Sequence, residues 1–318
     1  MLARLRRWLS APGGRTLARR QAAALERLER RIEGVAARLE QVAERIEAVR
    51  MAQSATLDDS TALTLCASGH MILVDTRCRD IAPHLMMSGV WEPEYLAAFR
   101  RLIRPGDTVF DIGANHGVYT LAAAAAVGPA GRVHAFEPNP RYARLVEQSV
   151  RLNGFASVVR VHRVAVSDRA GEARLRFGFA HAGGARLAPD DAEEPAPQGA
   201  PRAATVRKVA LDAMFRRPET VPHAVKLDIE GHEGFALLGM RGLLERSPGV
   251  RLMLEFAPRL MRDAGMGAEA TIALLEGLGF RFWTVGADSR LVPTEASQLR
   301  AMEGGLMNIV AARQAPEA

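Results

Sequence analysis

The chain of 318 residues is short of several things, and each shortage excludes something. It has no run of about 18 apolar residues, so no helix is expected to span a membrane. Its two cysteines, Cys66 and Cys78, are too few for a disulfide framework or a thiolate metal cluster. The first residues carry arginines but neither an apolar core segment nor a small-residue cleavage site. No secretory signal is therefore expected, and a soluble cytoplasmic protein is the default. The body also lacks net charge. Six arginines (Arg4, Arg6, Arg7, Arg15, Arg19 and Arg20) stand in the first 20 residues without an acid, leaving 36 basic against 36 acidic residues elsewhere. A neutral body does not offer the basic groove of a nucleic-acid enzyme, so no nucleic-acid partner is expected.

Hydrophobic residues make up 48% and charged residues 25%, enough for one large buried domain with appendages. The organising stretch runs from Asp107 to Pro138. Thr108 to Ile112 reads as a short strand containing Asp111. A turn follows at Gly113, Ala114, Asn115, His116 and Gly117, then an alanine-dense helix from Tyr119 to Val127. Arg132 to Phe136 is a second strand ending in Glu137, an acid about 20 residues after a glycine turn, where a doubly wound sheet holds ribose hydroxyls.

The glycine spacing selects the nucleotide. Asn115 stands where the middle glycine of G-x-G-x-x-G would let the backbone approach a pyrophosphate, which argues against NAD and for a cofactor without phosphates. S-adenosylmethionine fits: its α-amino group near Asp111 and the turn, its ribose diol on Glu137.

Four blocks, DIGANHGVYTL, AFEPNP, AVSD and KLDIEGHE, occur in an order and spacing that resembles the FkbM family of S-adenosylmethionine-dependent methyltransferases. The resemblance covers roughly Gly89 to Arg313. It implies a class I, Rossmann-like α/β fold with a seven-stranded sheet, a small-molecule or glycan acceptor, and O-methylation. It also places Ala165, Val166 and Asp168 over the adenine, although Ser167-Asp168-Arg169 is good turn chemistry by itself. The expected cofactor-binding set is Asp111, Gly113, Asn115, Gly117, Glu137, Pro138, Asn139, Ala165 and Asp168. Pro138, Asn139 and Pro140 also cap a helix from about Arg141 to Leu152. Glu92, in Trp91-Glu92-Pro93, is expected beside the pocket as a substrate or lid contact, or else as an acid at a helix start.

The strand Ala224 to Ile229 leads into the residues expected to carry catalysis: Lys226, Asp228, Glu230 and His232. With period two, Lys226, Asp228 and Glu230 share one side of an extended strand. Charges in an otherwise apolar central strand are costly unless they have a task, the structural alternative being a lysine–carboxylate pair that pins the strand. Asp228, Glu230 or His232 would take the proton of an acceptor hydroxyl, with Lys226 tuning a carboxylate or steadying an alkoxide. Metal-free catalysis is expected. The alternative is a divalent ion on Asp228, Glu230 and Glu255, the last at the end of a fifth strand, Arg251 to Phe256.

Four segments are expected: 1–20, 21–52, 53–104 and 105–318. In the first, Leu2, Leu5, Trp8 and Leu9 share one helical face amid arginines, which suits peripheral contact with an anionic membrane face, a partner, or a solvated terminus. Ala11 to Gly14 is expected to break that helix. In the second, Leu25, Leu28, Ile32, Val35, Leu39, Val42, Ile46 and Val49 alternate by three and four, an a/d seam that reads as a homo-oligomeric coiled coil over residues 25–49 or as one helix folded back. The third is a lid region. The fourth is the methyltransferase domain, with a flap at about 178–204 that holds His181, a remote candidate base. A rival to the enzyme is a coiled-coil scaffold with a non-catalytic methyltransferase domain.

Overall fold

The computed structural model describes residues 12–51, 54–177, 184, 186–187, 202–217 and 220–316, with side chains of the first helix described from 24 to 43. The chain divides into two units, Met1–Ala52 and Gln53–Ala318.

The first unit is the helix α1, Pro12–Met51, rich in the strong helix formers Ala, Leu, Glu and Arg. Pro12, Gly13 and Gly14 make its first turn, where a proline loses an N–H that would have no helical partner anyway. The helix also runs unbroken past residues 20 and 21, where a boundary was expected. Gly34, outside the seam, is carried at a cost of about 1 kcal/mol. Leu25, Leu28, Ile32, Val35, Leu39 and Val42 are each at least half exposed. The amphipathic segment at residues 1–10 and His181 lie outside the described residues.

The second unit opens with a small antiparallel sheet of β1 (Ser54–Asp58), β2 (Thr61–Leu65) and β3 (Met71–Asp75), followed by α2 (Ile81–Ser88) and α3 (Pro93–Arg101). Then come β4 (Thr108–Ile112), α4 (Val118–Val127), β5 (Arg132–Phe136), α5 (Pro140–Leu152), β6 (Val159–His162), β7 (Ala165–Val166), β8 (Gly171–Phe177), β9 (Arg186–Leu187) and β10 (Arg202–Val209). The remainder is α6 (Leu211–Met214), β11 (Ala224–Leu227), α7 (Glu233–Gly239), α8 (Arg241–Arg246), β12 (Arg251–Phe256), α9 (Pro258–Asp263), α10 (Ala268–Gly277), β13 (Arg281–Val285), β14 (Leu291–Thr294), α11 (Ala296–Arg300) and β15 (Met307–Ala312).

The main sheet has the order β14-β13-β15-β12-β11-β4-β5-β6, parallel from β12 to β6, with β15 antiparallel to both of its neighbours. That is eight strands among the described residues, not seven. The extra one is β14, paired antiparallel with β13 at the sheet edge, where Pro293 removes no ladder bond that a neighbour needs. A second, four-stranded sheet, β7-β10-β8-β9, was not expected. It takes up β7, so that β6 pairs in the main sheet and β7, three residues on, in the small one. Helices α7 and α8 follow one another directly, parted at Met240.

The first small sheet is tied to α5 by side chains. Asn153 accepts from the Met71 N–H and donates to the Met71 carbonyl, and Ser149 accepts from the Leu73 N–H, so the edge of β3 is satisfied by a helix. Arg141 of α5 reaches Asp75, Ser60 and Thr61 from the other end.

Alternate residues of the main sheet serve two cores. Val109, Val133, Ala135, Ala224, Met253, Val310 and Ala312 pack with the core around Phe99 and Leu145, while Phe110, Ile112, Val225, Leu227, Leu252, Leu254, Ile309 and Ala311 pack with the other. By the same alternation Asp111, Lys226, Glu255 and Asn308 stand on the first face, at or near the carboxyl ends of the parallel strands. Register sets Lys226 beside Asp111 and Glu255 opposite Asn308.

Gly113 makes this edge compact. Its φ is +89° and a Cβ there would lie 1.9 Å from the Asp228 carbonyl oxygen, whereas Gly154, with φ +73°, has open space around it. Gly113→Ala is therefore expected to cost about 2–4 kcal/mol in a urea unfolding curve, and Gly154→Ala only about 1. Equal losses would show that the close approach to Asp228 does not constrain the turn.

Candidate functional site

A cleft of about 1120 Å³, including its solvent-open mouth, lies at the carboxyl ends of β4, β5, β11 and β12. Backbone strain is concentrated around it. Among the described residues, non-glycine positions with positive φ are Glu92, Asn115, Glu230 and Ser289, and the first three line the cleft. Asn115 adopts an αL conformation (φ +50°), which asparagine tolerates better than most residues. Gly117, with φ +94°, caps α4 behind the lining.

On the nucleotide side, Glu137 accepts from the Asn115 N–H at 2.8 Å through Oε2 and from the Asn139 N–H at 2.7 Å through Oε1. Burial pushes its carboxyl up to about 7, against those two hydrogen bonds. Pro138 also lines the cleft. Asn139 acts on Glu137 and caps α5 through Arg141 N–H instead of lining the cleft itself. Ala165 lines the opposite wall together with Val164, Val166, Leu175 and Leu187 of the small sheet.

Asp168 lies outside the lining, its carboxylate engaged by Arg169 and Ser167.

Asp111 is 1% exposed and accepts a hydrogen bond from Thr120. Burial raises its carboxyl to about 6. Beside it Lys226, also 1% exposed, donates to Asp228 Oδ2 at 2.8 Å and lies 4.8 Å from the centroid of the Tyr119 ring. Burial opposes its charge, but Asp228, Glu92 and Glu255 outweigh burial and hold its pKa above the ordinary value. Glu92 makes no helix-cap bond. Its Oε2 accepts from the Tyr119 hydroxyl at 2.7 Å instead, inside the cleft, and burial raises its pKa.

The strand expected to run to Ile229 ends at Leu227, so Glu230 does not share the strand side by period two. A turn delivers it. Glu230 and Gly231 both have positive φ, and a Cβ on Gly231 would lie 2.4 Å from Leu260 backbone atoms. Glu233 holds the turn, its Oε1 accepting from the Ile229 and Gly231 N–H groups. Burial, Asp228 and Glu233 raise the pKa of Glu230. His232 lines the cleft, with Nε2 3.0 Å from Ser167 Oγ and its ring stacked on Phe235. Asp228, Glu230 and Glu255 each offer a carboxylate oxygen, all within 4.8 Å of one another.

Sequence reasoning missed Tyr119, Glu233 and the clamp role of His116. His116 Nε2 accepts from the Asp75 N–H, its ring packs 4.7 Å from Tyr142, and burial lowers its pKa to about 4, so it joins the first small sheet to the turn as a neutral ring. A signal for Tyr119 existed: with three tyrosines in the chain, one of them opening an alanine helix two residues after Gly117 is conspicuous.

These residues fit S-adenosylmethionine. Glu137 has lone pairs left for a ribose diol, Asp111 is a buried acid facing the cleft beside the glycine turn, and the wall of Val164, Ala165 and Leu175 is apolar.

The family described as Methyltransferase FkbM domain matches residues 111–282. A stretch of 76 residues is 46% identical to the 31-O-demethyl-FK506 methyltransferase FkbM of Streptomyces tacrolimicus, covering 24% of this chain and only 28% of that relative. Among solved structures, similarity is found to a SAM-dependent O-methyltransferase of Thermotoga maritima (15% identity, 80% of this chain and 78% of that one, TM-score 0.40). It is also found to the O-methyltransferase TomG of Streptomyces achromogenes, described as involved in tomaymycin synthesis and solved with SAM (16% identity, 70% and 79%, TM-score 0.39).

The buried acids give a pH signature. The folded-state pKa values of Glu137 (about 7) and Asp111 (about 6) lie above their ordinary 4.5 and 3.8, so the folded state binds these protons more tightly than the unfolded chain. Their stabilisation is complete below about pH 4 and is lost as pH rises through 6 to 7. Glu137→Gln is expected to flatten the fall in melting temperature between pH 5 and pH 8 relative to the unsubstituted protein. An unchanged slope would show that Glu137 is not held protonated.

Proposed function

The chain belongs to the FkbM methyltransferase family, and from that membership we propose that it transfers a methyl group from S-adenosylmethionine to a hydroxyl of a small molecule or glycan. The observation that carries the acceptor class is the charge of the cleft. Glu92, Asp111, Glu137, Asp228, Glu230 and Glu255 line it against the single ammonium of Lys226 among the described residues. Such a cleft favours a cationic donor and a neutral, hydroxyl-bearing acceptor, and repels a phosphorylated or nucleic-acid one.

Bound there, S-adenosylmethionine supplies an electrophilic methyl on a sulfonium. Glu137 would hold the ribose hydroxyls and Asp111 the α-ammonium, with Gly113 and Asn115 shaping the turn between them. Glu92, fixed by Tyr119, faces the acceptor side. Asp228 and Glu230, with His232 beside them, are the groups placed to accept the hydroxyl proton, and Lys226 steadies Asp228 and a developing alkoxide. Positioning both reactants in one cleft contributes as much as the proton transfer. A scaffold without catalysis would not need this buried charge, which is costly to keep.

The apolar seam of α1 supports a second part of the reading: self-association through residues 25–49 in a coiled coil. The arginine-rich segment at 1–10 supports peripheral contact with an anionic membrane face of the cytoplasm.

Two measurements test these readings. Titration calorimetry with S-adenosylmethionine and S-adenosylhomocysteine is expected to show micromolar binding, weakened at least tenfold in Asp111→Ala; absence of binding to the folded protein would overturn the enzyme. Light scattering is expected to show an oligomer that Leu28→Glu with Leu39→Glu dissociates. A monomeric parent protein would remove the coiled coil.

A further inference from the structure

The main sheet leaves two buried oxygens without a hydrogen-bond partner at one place. Glu255 Oε2 and Asn308 Oδ1 accept nothing, and their residues are 6% and 2% exposed. Glu255 and Asn308 are directly opposed in the antiparallel register of β12 and β15, so their side chains leave the same face with Cβ atoms about 4.5–5.5 Å apart. Unsatisfied buried acceptors are rare, and two adjacent ones call for a donor or a cation. Glu255 lines the cleft, and its carboxylate is within 4.8 Å of those of Asp228 and Glu230.

We propose that Asp228, Glu230 and Glu255 form a site for one hard divalent cation, of the Mg²⁺, Mn²⁺ or Ca²⁺ class, with Asn308 supporting Glu255 from the neighbouring strand. The donor set decides the class. Three carboxylates without a cysteine or histidine in the cluster select hard ions over zinc or copper. The span agrees. Two oxygens on opposite sides of an ion stand about 4.6–5.2 Å apart for Ca²⁺ bonds and about 4.0–4.2 Å apart for Mg²⁺ bonds, so the observed spacing accepts the larger ion as it stands and the smaller with a slight contraction.

Lys226 stands beside the site: its ammonium donates to Asp228 Oδ2 and is also attracted by Glu255, so it and the ion would share these carboxylates. With that ammonium counted, the three carboxylates still carry two uncompensated negative charges when ionised, which one divalent ion neutralises. The positive φ of Glu230 fits the same purpose, since the strained turn, clamped by Glu233, carries this carboxylate back toward the strand ends. The proposal rests on the cluster geometry and deepens the methyl-transfer reading in one respect: the ion would lower the pKa of an acceptor hydroxyl bound to it and, with Asp228 and Glu230 as ligands, the released proton would pass to His232, which lines the same cleft.

The test is a titration of the full chain with Mn²⁺, free ion being measured by electron paramagnetic resonance, alongside calorimetry with S-adenosylmethionine on the same preparations. One saturable Mn²⁺ per chain is expected, displaced by Ca²⁺ or Mg²⁺, with affinity falling at least tenfold in Glu255→Gln and in Glu230→Gln. Both replacements keep side-chain shape, and Glu230 lies in a partly exposed turn, so a folded variant is available even where the buried one fails. No saturable binding, or equal binding by the parent protein and the Glu230→Gln variant, would overturn the site. Cofactor binding without Mn²⁺ binding defeats only the cation proposal. Mn²⁺ binding without cofactor binding defeats only the methyltransferase reading.

Discussion

The ammonium of Lys226, buried on one face of the central sheet, is the constraint from which the rest of the cleft follows. Removing such a charge from water costs several kcal/mol, and attraction repays this only where the partners are close and well placed. Here Asp228 accepts its hydrogen bond, the Tyr119 ring lies beneath it, and Asp111 is its register neighbour across the β4–β11 ladder. Each partner is fixed by something further away. Tyr119 is oriented by Glu92, which sits at the start of α3 in a left-handed conformation. Asp111 is held by Thr120 of the following helix. The cleft is therefore assembled by satisfying one buried cation from three directions.

The turns around that cation trade backbone comfort for side-chain placement. Glu92, Asn115 and Glu230 come from three separate parts of the chain, yet each adopts a positive φ and each lines the cleft. A strain of about 1–3 kcal/mol per residue persists only where the surroundings over-determine it. The surroundings are visible: Tyr119 holds Glu92, Glu137 takes the N–H of Asn115, and Glu233 takes the N–H groups on both sides of Glu230. Two of those three clamps are carboxylates with raised pKa, Glu137 and Glu233, so the same buried acids that shape the turns make the site sensitive to pH.

What could be read from the sequence was the part governed by local spacing. The unit from β4 through α5 follows from the strand, glycine turn, alanine helix and second strand in immediate succession, and the acids Asp111 and Glu137 fall at the predicted ends. Asn139 as a cap was equally local. The misses share one cause: each depends on contacts between distant segments. β7 leaves the main sheet because β10, some forty residues later, offers it a parallel partner through Lys208 and Val209. β14 is a hairpin whose proline hid it, and Asn308 acquires meaning only once the β12–β15 register sets it opposite Glu255. Period two set Lys226 on the cleft face but could not foresee that the strand would stop at Leu227 and that a turn would still bring Glu230 within reach of Asp228.

The two faces of the sheet then divide the labour. One carries aromatic and aliphatic packing, with Phe110, Phe136 and Phe215 in mutual contact and the rings of His134 and His162 against them. The other admits Asp111, Lys226, Glu255 and Asn308 at the strand ends, so a large part of the electrostatic cost falls where a ligand can offset it. Apolar burial on the Phe110 face is what allows an excess of carboxylates to be held on the opposite one, since their mutual repulsion would otherwise open the edge. A cationic cofactor, and a divalent ion beside it, would relieve that repulsion and draw β4, β11 and β12 together. Ligand binding and stability are thus coupled through the same few acids: whatever neutralises the cleft also tightens the sheet that builds it.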